Sequence, residues 1–314
     1  MRAAFATAFN DADPLSVLEI GDAPEPAPQD GWVVVDVRAS ALNHHDLWSL
    51  RGVGLREEHL PMILGCDAAG IGPDGSEVVV YPVVYDGKGD SSILSEQFPG
   101  TVAERVAVPA YGLVPKPAEL TFAEAACLPT AWLTAYRMLT TKGRLEADGS
   151  VLVQGAGGGV ATAAVLLGTA LGARVYATSR DAAKRERIAA LGATAVEPGA
   201  RLPERVDVVI ETVGEATFEH SMKCTKTGGR IVVSGATSGH LPRVNLRRMF
   251  ALQLEILGSS MGTPEELADL MALLARTGIR PIIDSVIPFS EARKAFELLH
   301  SGDVFGKVVL DHTQ

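Results

Sequence analysis

A glycine-rich turn between an apolar strand and a helix is the feature that most constrains the fold of this chain. Residues 151–167 read VLVQGAGGGVATAAVLL, in which four of the five residues 155–159 are glycine. The pattern predicts a buried strand, a tight turn and a helix in immediate succession. Glycines in such a turn let backbone N–H groups approach a pyrophosphate, which the positive end of the helix stabilises. The turn therefore indicates a dinucleotide site, although a βα turn without a ligand has the same pattern.

Strand-like and helix-like segments alternate after this turn. The strand-like segments ARVYATS, VDVVIETVG and GGRIVVSGA are separated by stretches with helical spacing. Such alternation predicts an α/β domain with a doubly wound parallel sheet, the Rossmann arrangement. The N-terminal part differs, because short β-like runs such as WVVVDVRASAL are separated there by Pro, Gly and Asp. Those runs predict a mostly antiparallel, barrel-like β domain.

These changes in the pattern of strand-like and helix-like segments divide the chain into three parts. We assign residues 1–118 to the β domain, 119–255 to the dinucleotide-binding domain and 256–314 to a mixed tail that ends in a strand. Thr121 and Glu124 form a capping box, which predicts that a helix begins just inside the second segment.

The residues after the second strand of the alternating unit bear on the choice of nicotinamide cofactor. NAD-preferring sites have an acidic residue there, which accepts a hydrogen bond from the ribose 2′-hydroxyl. This chain has Ser179 and Arg180 instead, with Lys184 and Arg185 a turn later. A hydroxyl and cations suit the 2′-phosphate of NADPH. We therefore expect NADPH, while the neighbouring Asp181 leaves NAD open and a solvated helix face would also explain the cations.

Charge and cysteine usage exclude several classes of partner. The net charge of −10 argues against nucleic acid. The longest apolar runs are too short to span a membrane, and the N-terminus does not read as a secretory signal. The three cysteines, Cys66, Cys127 and Cys224, are far apart, which argues against a disulfide framework and for a cytoplasmic location.

Eight segments spread over nearly the whole chain share a family pattern. They are ALNHHDLWSLRG, GCDAAG, GTVAERVAVP, LPTAWLTAY, GAGGGVA, GGRIVVSGATSG, LGSSMG and FGKVVL. Together they resemble the medium-chain dehydrogenase/reductase superfamily, in its quinone-reductase-like branch. The resemblance implies a Rossmann domain inserted into a GroES-like domain that both chain ends build. It also implies hydride transfer to or from a nicotinamide.

Zinc alcohol dehydrogenases of this superfamily bind a catalytic zinc, and the resemblance assigns its ligand positions to Asn43, Cys66 and a residue near Thr130. Catalytic zinc needs three nitrogen, sulfur or carboxylate ligands, and amide and hydroxyl side chains are poor substitutes. Their structural zinc uses four close cysteines, and the loop YDGKGDSSILSEQFPG at 85–100 has none. We therefore expect no metal. The alternative is an unorthodox cluster of Cys66, Asp67 and either His44 or His45.

The resemblance also implies roles for the NHHDLW segment. Asn43 is expected near the nicotinamide ribose, and His44 takes the position of a pyrophosphate-binding base. His45 takes the position of a proton relay, and because histidine titrates near neutral pH it is a candidate acid. The candidate catalytic residues are thus His45 and Asn43, although a structural, hydrogen-bonded role would also explain His45. Asp46 is expected to be a structural acceptor.

The remaining site residues are expected from the same resemblance. The candidate cofactor contacts are Asn43, His44, Thr130, Thr134, Ala156, Gly157, Gly158, Gly159, Val160, Ser179, Arg180, Lys184, Thr212, Val213, Gly235, Ala236, Thr237, Ser259, Ser260, Met261 and Lys307. The candidate substrate contacts are Trp48, Arg51 and Trp132, for which simple packing is an equal alternative. The apolar segment LQLEILGSSMG at 252–262 is a candidate edge strand, and because an exposed apolar edge promotes aggregation we expect a homodimer.

These expectations together describe an NADPH-dependent reductase of a small-molecule substrate. A quinone or an α,β-unsaturated carbonyl accepts hydride at an activated carbon, whereas alcohol–ketone exchange normally needs a metal to stabilise the alkoxide. Two alternatives stay open. One is a zinc-type alcohol dehydrogenase with unorthodox ligands, and the other is an NADPH-binding protein without catalytic activity.

Overall fold

Two units make up the computed structural model, which describes residues 1–85 and 91–313. The first unit comprises Met1–Thr130, Leu267–Met271 and Ile283–Gln314, and the second comprises Ala131–Glu266 and Ala272–Ile282. Residues 86–90 of the loop predicted at 85–100, and Gln314, lie outside the described residues.

The first unit is mostly β-structure drawn from both ends of the chain. Numbered along the chain, its strands are β1 Arg2–Ala6, β2 Leu18–Asp22, β3 Trp32–Ala41, β4 Met62–Ile63, β5 Asp67–Ile71, β6 Glu77–Val80, β7 Val83–Tyr85, β8 Ser91–Ile93, β9 Arg105–Pro109, β10 Leu113–Pro115, β17 Ile283–Pro288 and β18 Lys307–Asp311. Its helices are α1 His44–Leu50, α2 Phe122–Ala126 and α9 Ala292–Ser301, with 3₁₀ turns at Pro14–Val17, Glu57–His59, Ala110–Gly112 and Phe289–Glu291.

Strand β3 joins the two ends of the chain in this unit. It is rich in β-branched residues, and Val35 and Val37, two positions apart on one face, are buried. β3 pairs antiparallel with β5 and β9 from the N-terminal part and with β18 from the C-terminus. The unit is thus a GroES-like domain completed by the terminal strand, as the resemblance implied.

The second unit is built around the parallel sheet predicted from the alternating segments. Its strands are β11 Ser150–Val153, β12 Arg174–Thr178, β13 Thr194–Val196, β14 Val206–Glu211, β15 Thr225–Val233 and β16 Glu255–Gly258. They lie in the order β13-β12-β11-β14-β15-β16, which is the doubly wound arrangement. Its helical segments are α3 Leu133–Arg137, α4 Gly159–Ala170, α5 Ala182–Ala190, α6 Phe218–Cys224 and α7 Leu246–Ala251, with a π-helical turn at Met138–Lys142. A second π-helical turn, Leu128–Trp132, has residues in both units. Helix α8, Pro264–Thr277, has residues in both units.

The predicted boundaries at 118 and 255 differ from these divisions for two physical reasons. The capping box forms as predicted, with Thr121 Oγ1 accepting from the Glu124 N–H at 3.2 Å. The helix it begins, α2, nevertheless packs on β3 and β5 of the first unit. At the other boundary, β16 continues the parallel sheet to Gly258. None of the described helices is long and apolar enough to cross a membrane.

Candidate functional site

The glycine-rich turn lies where β11 ends and α4 begins. Gly155 has a φ of +67°, and a Cβ there would lie 2.5 Å from Cγ2 of Val213, so this position requires glycine. A Cβ built on Gly158 would meet no atom of the described residues within 4 Å. The turn is therefore open at the amino end of α4, where the first backbone N–H groups lack partners within the helix. This geometry fits the pyrophosphate predicted for the turn.

The turn after β12 carries the residues predicted to select NADPH. Asp181 caps α5, because its Oδ1 accepts a hydrogen bond from the Lys184 backbone N–H at 2.9 Å. That hydrogen bond lowers the pKa of Asp181, so the carboxylate is charged and engaged at the helix end. The side chain of Lys184 lies over the glycine-rich turn, with Cδ 3.3 Å from the Cβ position of Gly157. Ser179 is buried and Arg180 is exposed. The Lys184 side chain therefore lies beside the glycine-rich turn, while the Asp181 carboxylate caps α5.

The other predicted cofactor residues of this unit follow neighbouring strands. Residues 212–213 follow β14, residues 235–237 follow β15 and residues 259–261 follow β16. The turns contact one another, since the Thr237 N–H donates to the Thr212 carbonyl at 3.4 Å. Because the carboxyl ends of parallel strands meet at one edge of a sheet, these residues share an edge with the glycine-rich turn.

Three predicted residues lie at or just before α3. Thr134 is 6% exposed and Trp132 is 1% exposed. Thr130 Oγ1 is buried and has no hydrogen-bond partner among the described residues. The near-complete burial of Trp132 favours core packing over the predicted substrate contact.

A buried cluster in the first unit joins Asn43, Asp67 and Lys307. The Asn43 Nδ2 donates to Asp67 Oδ2 at 2.9 Å. The Lys307 ammonium donates to Asn43 Oδ1 at 2.6 Å, to Asp67 Oδ2 at 3.2 Å and to the Leu42 carbonyl at 2.7 Å. Its three protons are all engaged within this unit, so the ammonium holds Asn43 and Asp67 in place. The cofactor contact predicted for Lys307 is not favoured by this arrangement.

His45 links a thiol and a carboxylate. Its Nε2 lies 3.0 Å from Glu96 Oε1, and its Nδ1 lies 3.4 Å from Cys66 Sγ. The thiol of Cys66 donates to the Leu94 carbonyl at 3.3 Å, so the sulfur presents an acceptor to Nδ1. Burial by itself lowers the pKa of His45, but interactions with Cys66 and Glu96 outweigh it and hold that pKa well above 6.5. The arrangement therefore favours an imidazolium that donates from both ring nitrogens.

The remaining residues of this segment lie in α1 or directly after it. His44 is exposed, and desolvation by the surrounding protein, then the charges of Lys307 and Arg51, lower its pKa. Trp48 and Arg51 are partly exposed, and Arg51 Nε lies 3.9 Å from Asp11 Oδ1. These exposures are compatible with the substrate contacts predicted for Trp48 and Arg51.

The residues at the zinc positions do not fit a catalytic zinc. Asn43 is bonded to Lys307 and Asp67, and burial raises the pKa of the Cys66 thiol. The potential ligand atoms of His45, Asp46 and Cys66 lie within 4.8 Å of one another among the described residues. The Asp46 oxygens, however, accept from the Asn43 N–H at 2.8 Å and the Gly65 N–H at 3.0 Å, which is the structural role predicted for Asp46. This set offers one engaged carboxylate, one protonated thiol and one charged ring, none of which is a free ligand.

Sequence reasoning missed two groups of residues. Glu96 lies 51 residues from His45 in a loop, where no local pattern marks it. Gln154, Thr178 and Glu211 are buried at the carboxyl ends of strands. Their signal in the sequence is a polar residue that closes an apolar run, as in VLVQ and VVIE.

Two family models match the chain. The alcohol dehydrogenase GroES-like domain matches residues 29–118, and the zinc-binding dehydrogenase family matches residues 183–310. A zinc-type alcohol dehydrogenase-like protein of Schizosaccharomyces pombe is 31% identical, over 89% of this chain and 90% of that protein. The acryloyl-coenzyme A reductase of Metallosphaera sedula is 28% identical over 93% and 96% of the two chains. The quinone oxidoreductase of Rattus norvegicus is 30% identical over 91% and 90%.

Solved structures match nearly the whole length of this chain. An NAD-dependent alcohol dehydrogenase superposes with a TM-score of 0.90 at 34% identity, covering 99% of each chain. The 2-octenoyl-CoA carboxylase reductase CinF, in complex with NADP and 2-octenoyl-CoA, superposes with a TM-score of 0.91 at 25% identity, covering 99% of this chain and 87% of that one. Neighbours of this fold thus include an NAD-dependent and an NADP-bound protein.

Proposed function

This chain belongs to the medium-chain dehydrogenase/reductase superfamily, and we propose that it uses NADPH to reduce a small quinone or α,β-unsaturated carbonyl without a metal. The observation that carries the proposal is the Lys307 ammonium bonded to Asn43 and Asp67. With an amide engaged at the first zinc-ligand position, an alkoxide would lack its Lewis acid. A quinone or enone carbon is already electron-poor, and the quinone oxidoreductase and acryloyl-coenzyme A reductase relatives support this substrate class.

The second unit would hold the cofactor. Residues 156–160 would take the pyrophosphate, and Ser179, Arg180 and Lys184 would take the 2′-phosphate. NADPH supplies the hydride when bound. The engagement of Asp181 at the end of α5 supports NADPH over NADH, because its Oδ1 accepts from the Lys184 backbone N–H rather than from a ribose hydroxyl.

His45 would supply the proton that the reduced substrate needs. Reduction of an enone or quinone leaves an enolate or hydroquinone oxygen that must be protonated. A histidine held in its charged form beside the Glu96 carboxylate can donate that proton near neutral pH once the substrate oxygen replaces Glu96 or Cys66 as the acceptor of one ring N–H. Asn43, fixed by Lys307, would act as an oriented polar group beside it.

One observation favours a second candidate, a zinc-type alcohol dehydrogenase with unorthodox ligands. The potential ligand atoms of His45, Asp46 and Cys66 lie within 4.8 Å of one another. For this function Asp46 would have to give up its two backbone N–H partners.

We further propose that the protein is a cytoplasmic homodimer. β16 is an edge strand of the described parallel sheet, and the neighbouring segment exposes apolar side chains. Leu246 is 68% exposed and Phe250 is 73% exposed in the single chain. An apolar surface beside an open sheet edge supports pairing with a second copy.

A substrate and cofactor panel tests the proposed function. Initial rates with NADPH and NADH are measured over quinones, enones and saturated ketones, and alcohol oxidation is measured with NADP⁺ and NAD⁺. We expect turnover of quinones or enones, with a higher kcat/KM for NADPH. Zinc-stimulated alcohol oxidation would favour the second candidate, and tight NADPH binding without any turnover would indicate a non-catalytic protein.

A further inference from the structure

Three adjacent strands of the parallel sheet each bear a buried polar side chain at the carboxyl end. Gln154 directly follows β11, Thr178 ends β12 and Glu211 ends β14. The order β12-β11-β14 makes them neighbours, and all three side chains are 0% exposed. Burying polar groups costs free energy unless they are hydrogen-bonded, so their partners determine what they do.

These side chains and Ser221 of α6 form one directed chain of hydrogen bonds. The Gly155 N–H donates to Thr178 Oγ1 at 3.0 Å, and the Thr178 hydroxyl donates to Gln154 Oε1 at 2.8 Å. The Gln154 amide donates to Ser221 Oγ at 3.0 Å, and the Ser221 hydroxyl donates to Glu211 Oε2 at 2.6 Å. Every donor points toward the carboxylate, so Glu211 fixes the orientation of each hydroxyl and of the amide.

Both ends of this hydrogen-bond network bind backbone N–H groups at the sheet edge where the cofactor is proposed to bind. At one end Gly155 opens the glycine-rich turn, with its positive φ of +67°. At the other end Glu211 Oε1 accepts from the N–H groups of Val213 at 2.9 Å and Gly214 at 3.0 Å. A single buried network therefore ties two separate turns of the same edge together.

A side branch locks the amide of Gln154. Its Nε2 also donates to His220 Nδ1 at 3.0 Å, and His220 Nε2 in turn donates to the Ala200 carbonyl at 2.8 Å. A flipped amide would turn its N–H toward the donating Thr178 hydroxyl and its oxygen toward the lone pair of His220 Nδ1. The orientation of Gln154 is thus defined by every partner that it contacts.

We propose that Gln154, Thr178, Ser221 and Glu211 are positioning residues that hold the glycine-rich turn and the 212–214 turn in the conformation that binds the dinucleotide. The inference rests on the proposed function, because a nicotinamide cofactor is the ligand of both turns. The four side chains are buried, so they act through the backbone and not by touching the cofactor. The network is separate from Arg180, which bears on cofactor selection, so it supports NADPH and NADH binding by the same factor.

Two conservative variants and a matched control test the proposal. Thr178→Val removes the acceptor of the Gly155 N–H, and Ser221→Ala breaks the chain at its middle. Ser150→Ala is the control, because Ser150 begins β11 at its other end, is 0% exposed and donates to Asp207 Oδ2 at 2.7 Å. The dissociation constants of NADPH and NADH are measured by calorimetry on the full chain, well below each variant's melting temperature.

We expect both test variants to raise the dissociation constants of NADPH and of NADH about tenfold, which is the affinity that one hydrogen bond contributes. The KM for the cofactor should rise while kcat at saturating cofactor changes less than about twofold. Ser150→Ala should lower the melting temperature and leave both dissociation constants unchanged. Thr178→Ser, which keeps the hydroxyl, should bind like the wild type.

Two results would overturn the proposal. Unchanged cofactor affinity in Ser221→Ala is one, and it decides the matter even if Thr178→Val does not fold. An equal loss of affinity in Ser150→Ala is another, since it would assign the effect to general destabilisation. If the wild type binds neither NADPH nor NADH, the proposed function itself fails, which is a separate and distinguishable outcome.

Discussion

The Lys307 ammonium donates to Asn43 Oδ1 across 2.6 Å and lies 3.2 Å from Asp67 Oδ2, so a lysine at one end of the chain holds two residues near the other. The resemblance assigns Asn43 and Cys66 to zinc-ligand positions of the family, and Asp67 directly follows the second of them. At this place the chain has a resident cation bonded to an amide and a carboxylate. The proposed metal-independent function rests on this replacement of metal ligands by an ion pair.

Removing this cation should destabilise the fold. Lys307→Met leaves the Asp67 carboxylate, which is 0% exposed, without its counter-charge. Breaking one partner of a buried ion pair costs about 3–5 kcal/mol of unfolding free energy. Urea denaturation of wild type and variant measures this loss. The double variant Asp67→Asn/Lys307→Met removes both charges and should recover most of it; if it is no more stable than Lys307→Met, the pair is not the cause.

Cofactor preference should depend on Arg180. Arg180→Ala should weaken NADPH by about 1.5–3 kcal/mol, the range for a hydrogen bond to a charged group. NADH lacks the 2′-phosphate and is the internal control, so its dissociation constant should not change. Titration calorimetry with both cofactors provides the measurement. An equal loss for both would show that Arg180 does not bind the 2′-phosphate.

Stability and turnover should both decline as the pH rises through the pKa of His45. Burial lowers that pKa, but the interactions with Cys66 and Glu96 hold it well above 6.5 in the folded state. A raised folded pKa gives stability that is fully present below the unfolded pKa of about 6.5 and is lost as the pH rises through the folded pKa. The unfolding free energy and kcat are measured from the acid side of neutrality upward.

Two variants separate the contributions to this pH profile. His45→Gln should flatten the decline in stability and lower kcat by about 10²-fold, if the imidazolium is the proton donor. Glu96→Gln keeps the ring but removes the carboxylate, so it should move the fall in kcat to lower pH. A profile that Glu96→Gln leaves unmoved would mean that Glu96 does not set the charge of His45.

Most of the architecture could be predicted from local pattern. The glycine-rich turn, the alternating strands and the capping box at Thr121 depend on neighbouring residues, and each forms as expected. The contact-based division carries the first unit to Thr130, beyond the predicted boundary at 118, because α2 packs on β3 and β5, which are distant in sequence.

The interactions of the site could be predicted only in part. The NHHDLW segment marks Asn43 and His45, but their partners Lys307 and Glu96 are 264 and 51 residues away. Nothing in the residue types indicates that the Lys307 ammonium donates all three of its hydrogen bonds to groups of the first unit. Trp132 shows the same limit, because burial to 1% exposure depends on tertiary packing that its local pattern does not contain.

The exposed apolar segment near β16 should mediate the homodimer. Phe250 is 73% exposed in the single chain, and Phe250→Asp places a charge at this position, so the variant should be a monomer at micromolar concentration. Its melting temperature should fall only by the contribution of the lost interface. Val53→Asp, at a position 57% exposed in the first unit, is the control and should stay dimeric. Multi-angle light scattering measures the mass. A monomeric wild type would refute the assembly.

The zinc content of the purified protein, measured together with activity after prolonged chelation, tests the central claim most directly. The donor atoms at the ligand positions are already engaged, Asn43 with Lys307 and the Cys66 thiol with the Leu94 carbonyl, so each would have to give up a partner before it could bind zinc. We predict well under one zinc per chain and a reductase rate with NADPH that chelation leaves unchanged. One zinc per chain, with activity that chelation abolishes and added zinc restores, would contradict the account and assign His45, Asp46 and Cys66 to a metal site.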